Sequence, residues 1–496
     1  MNQPTSTSQA RAARSARAAA LALSIAWLAG APRAWAQGAP EAAGADEVAA
    51  LLAEADQIAA QVGQMRGLAP LGPIKKSVQG REALRAMLEA RFKAEIKPEE
   101  VARETAVLVQ MGMLEPGFDY VAFLLDLYSE QIAGFYDDKT RELVVIAGMD
   151  LKEQRIVMAH ELFHAIQDQH FTIDSLRPPE RGLVGGSGNE DRALARTALI
   201  EGDATAVMLD FTTADMGMLP KGSGASTMDN PMIGGLLEQL MGGGLDPAMV
   251  GQSPVLSSAP GWIQETLIFP YIRGLIFVAE MRHQRSWGRL DGVYLDPPES
   301  TEHILHPERY LSGDAPVLVA LDPAALAGAL GGGFAPIYEN AQGELRLRLW
   351  LSHHLSAKAL SKAAPGLTVE RAAQGWGGDR LYGFAAGGEV ALVGATVWDT
   401  ELDAREFEAA MAAMVAARLP GAVLRKESGQ WGSNHCFEAP GGDRVYVERW
   451  GSWVLFIDGL APGASLQAVR DAAWASRRVG VYPKTTTRGR LDAEGP

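Results

Sequence analysis

The sequence predicts an α+β protein, and three observations lead to this fold class. Apolar residues recur at helical spacing among charged residues across 46–66, 80–113 and 118–131, which is the pattern of amphipathic helices. A short stretch with strand and turn composition follows at 134–146. The last third of the chain contains two similar runs that read as strands followed by a helix. Helical and strand patterns are thus both present, as in α+β proteins.

The composition is that of a globular chain and limits its partners. Of 496 residues, 47% are hydrophobic and 21% are charged, which allows two or three domains with packed cores. The formal net charge of -15 would repel a phosphate backbone, so no nucleic acid is expected as a partner. Cys436 is the single cysteine, which excludes an intramolecular disulfide and a cysteine-rich zinc module.

The first 36 residues predict a signal peptide. Arginines without acidic neighbours precede the apolar run 18–31, and Ala34-Trp35-Ala36 is a small-x-small cleavage pattern. The apolar run is too short to span a bilayer. We therefore expect cleavage near Ala36, a secreted or periplasmic location, and no membrane anchor afterwards.

Changes in composition predict four regions after the signal peptide. Residues 37–116 form a helical region, which is either a propeptide or part of the catalytic domain. Residues 117–315 form the candidate catalytic domain, in which the stretch 212–260, rich in Gly, Met, Ser and Pro, predicts a mobile loop. Residues 316–480 form an accessory α+β domain, and residues 481–496 form a flexible tail.

The accessory domain contains an internal echo, that is, a short sequence that occurs twice in similar form. Gly377-Gly378-Asp379-Arg380-Leu381-Tyr382 recurs as Gly441-Gly442-Asp443-Arg444-Val445-Tyr446. Two strand-like runs and a helical pattern follow each copy, which predicts two ββα repeats. The alternative is a chance echo in a glycine-rich sequence.

The sharpest functional signal is His160-Glu161-Leu162-Phe163-His164, inside a predicted helix over residues 152–169. Residues four apart lie on one helix face, so the two imidazoles can hold one zinc ion. Glu161 lies beside them and can reach a metal-bound water as a general base. A surface helix with two solvated histidines is the alternative. We predict His160 and His164 as ligands of Zn²⁺.

A third protein ligand is required, and there are two candidates. His170 occupies the third-histidine position of another zinc motif, but Gln167 replaces the glycine that would turn the chain back. In a continuing helix His170 would point away from the zinc. Glu201, on a second predicted helix over 191–211, would complete a His₂Glu set. We predict Glu201 as the ligand, with Asp203 as its support or substitute.

These residues resemble the gluzincin zinc metallopeptidases. The strings 131–137, 159–171 and 298–307 are similar to a poorly characterised branch of secreted prokaryotic members. The resemblance implies a zincin-like, mainly helical catalytic region with a small sheet, and a peptide or protein substrate. It also implies that residues 143–146, or their hairpin partner, pair with an extended substrate.

The resemblance further implies a later Tyr or His that stabilises the oxyanion. Four residues are candidates for this role, namely His306, His303, Tyr310 and Tyr271. His306 is the first choice because the following proline would fix the backbone and aim the ring.

The sequence as a whole predicts a zinc-dependent hydrolase, a metallopeptidase that uses zinc-activated water with Glu161 as general base. One alternative is a noncatalytic metal-containing protein that binds a partner or assists envelope assembly. Another is a zinc amidase that acts on cell-wall peptide. The intact Glu161 favours catalysis, because zinc could be held without it.

Overall fold

The computed structural model describes most of the chain. The described residues are 45–80, 82–83, 85–87, 89–90, 98–131, 134–146, 151–176, 188–219, 226–230, 254–282, 287–429 and 432–482. The predicted signal peptide, most of the predicted loop 212–260 and all but two residues of the predicted tail lie outside them. Within the described residues, none of the helices combines the length and the apolar character that a membrane span requires.

Helices are labelled here in chain order. They are α1 Ala45–Arg66, α2 Pro98–Gln110, α3 Tyr120–Gln131, α4 Leu151–Phe171, α5 Ile173–Leu176, α6 Glu190–Asp215, α7 Pro254–Ser258, α8 Gly261–Met281, α9 Trp287–Leu295, α10 Thr301–Leu305, α11 Pro307–Ser312, α12 Pro323–Leu330, α13 Gly343–His354, α14 Ala357–Ala363, α15 Val369–Ala373, α16 Glu401–Arg418 and α17 Leu466–Ser476. A 3-10 turn at Thr227–Asp229 lies between α6 and α7.

Strands are labelled in the same way. They are β1 Lys75–Gln79, β2 Gly134–Asp137, β3 Glu142–Ile146, β4 Gly188–Asn189, β5 Val317–Ala320, β6 Ala335–Ala341, β7 Trp376–Ala386, β8 Glu389–Trp398, β9 Val423–Gly429, β10 Gly432–Glu438, β11 Arg444–Trp450, β12 Trp453–Leu460 and β13 Arg478–Val481. The protein is therefore mixed α and β with several sheets, which agrees with the predicted class.

The β2–β3 hairpin of the small sheet precedes the helix that carries the predicted zinc motif. Its strand order is β1-β3-β2, in which β3 pairs antiparallel with β2 and parallel with β1. The β2–β3 hairpin was expected from the turn composition at 137–140, whereas β1 was not expected. Since β3 has a partner on each side, β2 is an edge strand of this sheet.

The large sheet has eight strands in the order β4-β6-β7-β8-β12-β11-β10-β9. Its first strand, β4, comes from the predicted catalytic region and pairs in parallel with β6. The two copies of the sequence echo fall near the starts of β7 and β11. Each of these strands pairs with the next strand, and a helix follows, which is α16 after β8 and α17 after β12.

The predicted zinc motif lies on α4, within a group of four packed helices. Helix α6 packs against both α4 and α8, and α1 covers another side of α4. Most side chains of α6 are buried, so this helix lacks a wide polar face and depends on tertiary packing for its stability. The main apolar core extends from residues of α1 through these helices to the large sheet.

Candidate metal centre

The structure brings three predicted ligands together in the core. The Nε2 atoms of His160 and His164 are 2.9 Å apart, and the Glu201 Oε2 atom is 3.1 Å from the first and 3.2 Å from the second. All three residues are buried. They form the one group of potential metal ligands found among the described residues.

The spacing of these three atoms fits a zinc ion. Zinc bound at about 2.0–2.1 Å in tetrahedral geometry holds its ligand atoms roughly 3.3 Å apart. The three separations here, 2.9, 3.1 and 3.2 Å, are close to that value. Two imidazole nitrogens and one carboxylate oxygen form a set that catalytic zinc sites use, with one position left for water.

Burial and mutual contact shift the pKa values of these ligands. Burial lowers the pKa of His160 to about 4, which favours the neutral imidazole that a metal needs. Burial opposes charge on His164 as well, but the Glu201 carboxylate outweighs it and raises the pKa of His164 to about 9. Burial would also raise the pKa of Glu201, yet the two histidines lower it. Glu201 is therefore ionised beside the two histidines.

Glu161 lies beside the ligands and is held by the small sheet. Its Oε2 atom accepts a hydrogen bond from the backbone N–H of Tyr136 at 2.8 Å. The Tyr136 hydroxyl donates to Asp168 Oδ2 at 3.0 Å, so this residue of β2 is anchored at both ends. Burial raises the pKa of Glu161 to about 7, a value suited to a group that exchanges protons at neutral pH.

Two glycines allow α6 and α8 to approach closely beside Glu201. A Cβ atom at Gly202 would lie 2.2 Å from the carbonyl carbon of Gly274, and one at Gly274 would lie 2.0 Å from the oxygen of Ala198. No larger residue fits at this crossing without moving a backbone. The contact fixes the distance between the helix that carries Glu201 and the helix that carries Tyr271.

Tyr271 is the oxyanion candidate that the structure brings next to the ligands. Its ring centroid is 6.3 Å from that of His160, and the residue is buried. The sequence makes Tyr271 one of four candidates for this role, with His306 as the first choice. Gly274, one turn later on α8, is the feature that could have drawn attention to this helix.

The other three oxyanion candidates make contacts elsewhere. His306 donates from Nε2 to Glu344 Oε1 at 2.9 Å, and its Nδ1 atom is 3.8 Å from Glu308. His303 Nε2 and the Tyr310 hydroxyl each donate to a backbone carbonyl, at 2.7 and 2.8 Å. The contacts that the structure gives for these three residues do not include the metal ligands.

His170 is directed away from the ligand cluster. Its Nε2 atom donates to the backbone oxygen of Ala69 at 2.8 Å, and α4 continues through it to Phe171. The two oxygens of Asp203 accept hydrogen bonds from Arg66 Nε at 2.8 Å and from the Tyr294 hydroxyl at 2.9 Å. The arrangement favours Glu201 over both as the third ligand.

Comparison with known proteins adds one match. Residues 335–470 match a family described as Domain of unknown function (DUF8575). The matched segment begins at β6 and ends within α17, so it includes most of the large sheet and none of the three ligands. No curated protein and no solved structure matches the chain.

Proposed function

We propose that this chain is a zinc-dependent hydrolase, namely a secreted or periplasmic metallopeptidase. The observation that carries the proposal is the buried convergence of His160 Nε2, His164 Nε2 and Glu201 Oε2 within 3.2 Å. Glu161, a fourth residue with no need to bind the metal, lies beside them. A purely structural zinc site is closed by four protein ligands, whereas three ligands and an adjacent carboxylate suit hydrolysis.

The residues of the chain have distinct roles in this proposal. Zinc, when bound by the three ligands, would make a water molecule more acidic and polarise the scissile carbonyl group. Glu161 would accept the proton of the attacking water and pass it to the leaving amine. The Tyr136 N–H holds one oxygen of that carboxylate at 2.8 Å, which would fix the direction of proton transfer.

Tyr271 is the residue that we propose for the oxyanion. It is the candidate with a contact to a ligand, through its ring and that of His160. Its phenol could donate to the negative oxygen that develops on the substrate. His306, the first choice from the sequence, would need to leave Glu344 to take this role.

The edge strand β2 is the proposed binding site for an extended peptide. The resemblance to gluzincins assigns this role either to residues 143–146, which lie in β3, or to their hairpin partner β2. Since β3 is already paired on both sides, β2 is the strand with a free edge. An edge strand can add a peptide through main-chain hydrogen bonds. The contact of Tyr136 with Glu161 would bring such a peptide close to the general base.

The finer features of the predicted fold belong to the same proposal. We assign a zincin-like fold to the catalytic region because a small sheet precedes a helix with the zinc motif, and the third ligand follows on another helix. We also propose that the two ββα units are repeats. The sequence echo and the shared order of their elements support this reading.

The test compares the purified mature protein with its Glu161→Gln variant on a mixed peptide library, with and without a chelator. We expect cleavage by the wild-type protein that the chelator abolishes and added zinc restores. Glu161→Gln should keep its zinc and lose most turnover, because the amide keeps the shape and removes the base. Zinc without cleavage of any peptide would favour a binding protein, and cleavage of cell-wall peptide alone would favour an amidase.

A further inference from the structure

The second nitrogen of His164 has a defined partner. His164 Nδ1 lies 2.7 Å from Gln167 Oε1, one turn later on α4. Both side chains are buried. In a histidine that binds a metal, the hydrogen bond of the other ring nitrogen determines the tautomer and the orientation of the ring. Gln167 is therefore in a position to control how His164 presents its Nε2 atom.

The amide of Gln167 can have one orientation only. Its Nε2 atom donates to the backbone oxygen of Ile200 at 3.0 Å and to the Tyr294 hydroxyl at 2.8 Å. A carbonyl oxygen accepts hydrogen bonds and cannot donate them, so the amide nitrogen must face Ile200 and the amide oxygen must face His164. It follows that His164 Nδ1 carries a proton, so Nε2 is the nitrogen that is available to bind a metal.

The same amide connects the two helices that supply the ligands. Gln167 is on α4 with His164, and Ile200 directly precedes Glu201 on α6. One side chain thus touches a ligand on the first helix and the backbone next to a ligand on the second. A change in its hydrogen bonds would move one ligand relative to the other.

Further buried groups hold the Tyr294 hydroxyl in place. Tyr294 donates to Asp203 Oδ2 at 2.9 Å, and Arg66 Nε donates to Asp203 Oδ1 at 2.8 Å. Arg66 has no exposed surface and also pairs with Asp291 at 2.7 Å. An arginine and a carboxylate buried together keep their charges only with such partners, which makes their geometry strict.

We propose that Gln167, Tyr294, Asp203 and Arg66 form a positioning chain for the zinc ligand His164. This inference rests on the proposed function, because it takes zinc to be the bound metal. The four residues act on the site through His164 and through the backbone beside Glu201. Since Arg66 is the last residue of α1, the proposal makes α1 a part of the metal centre, and loss of α1 would weaken zinc binding.

The test measures zinc affinity in Gln167→Met and Tyr294→Phe by competition with a chelator of known affinity. Methionine keeps the length of glutamine and removes all three hydrogen bonds, so affinity should fall by about 10- to 100-fold, as it does when outer ligands of zinc sites are lost. Tyr294→Phe leaves the bond to Ile200 intact and should cause a smaller loss, about threefold to tenfold. The visible absorption of the cobalt-substituted protein should change in Gln167→Met, because it reports the ligand geometry.

The control is Gln169→Met on the same helix. Gln169 accepts from the backbone of Leu71 and donates to that of Gly72, and neither bond involves a proposed ligand. Its variant should bind zinc within about twofold of wild type, which corresponds to a change in binding free energy smaller than RT. Equal affinity in Gln167→Met and wild type would overturn the positioning chain, and so would an equal loss in Gln169→Met. If Gln167→Met does not fold, Tyr294→Phe decides by the same criterion. A wild-type protein that takes up no zinc would refute the proposed function itself.

Discussion

A methyl group added at Gly274 should force apart the two helices beside the metal ligands. The new Cβ would lie 2.0 Å from the oxygen of Ala198 and 3.1 Å from the Cα of Gly202. Both are backbone atoms, which cannot rotate away, so the helices must separate by roughly 1 Å to restore normal contact. Overpacking of this kind costs about 1–3 kcal/mol, and the shortness of this contact favours the upper end of that range.

The gain in helix propensity opposes this loss and does not cancel it. Alanine is more favourable than glycine in a helix interior by about 1 kcal/mol, so we expect Gly274→Ala to lower the free energy of unfolding by about 2 kcal/mol. Because the shift changes the position of Glu201 relative to the two histidines, zinc affinity should fall as well. Urea unfolding followed by circular dichroism, and competition with a chelator, would measure the two effects.

Gly292→Ala is the matched control. Gly292 lies within α9, and a Cβ there would meet nothing within 4 Å. The same substitution should therefore stabilise the protein by up to about 1 kcal/mol and leave zinc affinity unchanged. If Gly274→Ala proved as stable as Gly292→Ala, the close approach of α6 and α8 would be wrong, and with it our account of how Glu201 is positioned.

Three further predictions concern the metal centre directly. His160→Ala combined with His164→Ala should abolish zinc binding, and full occupancy by elemental analysis would contradict the site. Glu201→Ala should weaken zinc binding severely because two ligands remain, whereas His170→Ala should match wild type in a metal titration; the reverse order would favour a three-histidine site. Tyr271→Phe should keep its zinc and lower kcat about 100-fold if its hydroxyl stabilises the oxyanion. An unchanged kcat would exclude that role.

The helix that carries His160 and His164 could be predicted from sequence because its signals are local. The expected helix over 152–169 appears as α4, Leu151–Phe171, and the spacing of four residues places both rings on one face. The prediction that His170 faces elsewhere rested on the same helix geometry. The structure agrees, since His170 contacts the backbone of Ala69.

The position of Glu201 required more than local pattern. The expected helix over 191–211 appears as α6, Glu190–Asp215, but its direction relative to α4 depends on distant residues. The small residues around Glu201 predict that another helix approaches there. That helix is α8, through Gly274, and no short-range signal identifies a glycine some 70 positions away as the contact.

The residues that support the site were the least predictable. Tyr136 contacts Glu161 through its backbone N–H, which any residue other than proline could supply. Arg66 and Tyr294 meet Asp203 from helices that are far apart in sequence. Such contacts depend on tertiary packing, and the periodicity of apolar residues carries no information about them.

The large sheet contacts the first turn of α6, the helix that carries the proposed ligand Glu201. Its strand β4 directly precedes that helix, and Gly188 pairs with Asn340 of β6. The Asn340 side chain also accepts from the backbone N–H of Glu190 at 3.0 Å, and the buried Arg380 of β7 donates to the oxygen of Gly188. Three contacts from the segment that matches the uncharacterised domain thus fix the start of the helix that presents Glu201 three turns later. The sheet therefore helps to position Glu201, the proposed third ligand, although it contributes none of the three proposed ligands itself.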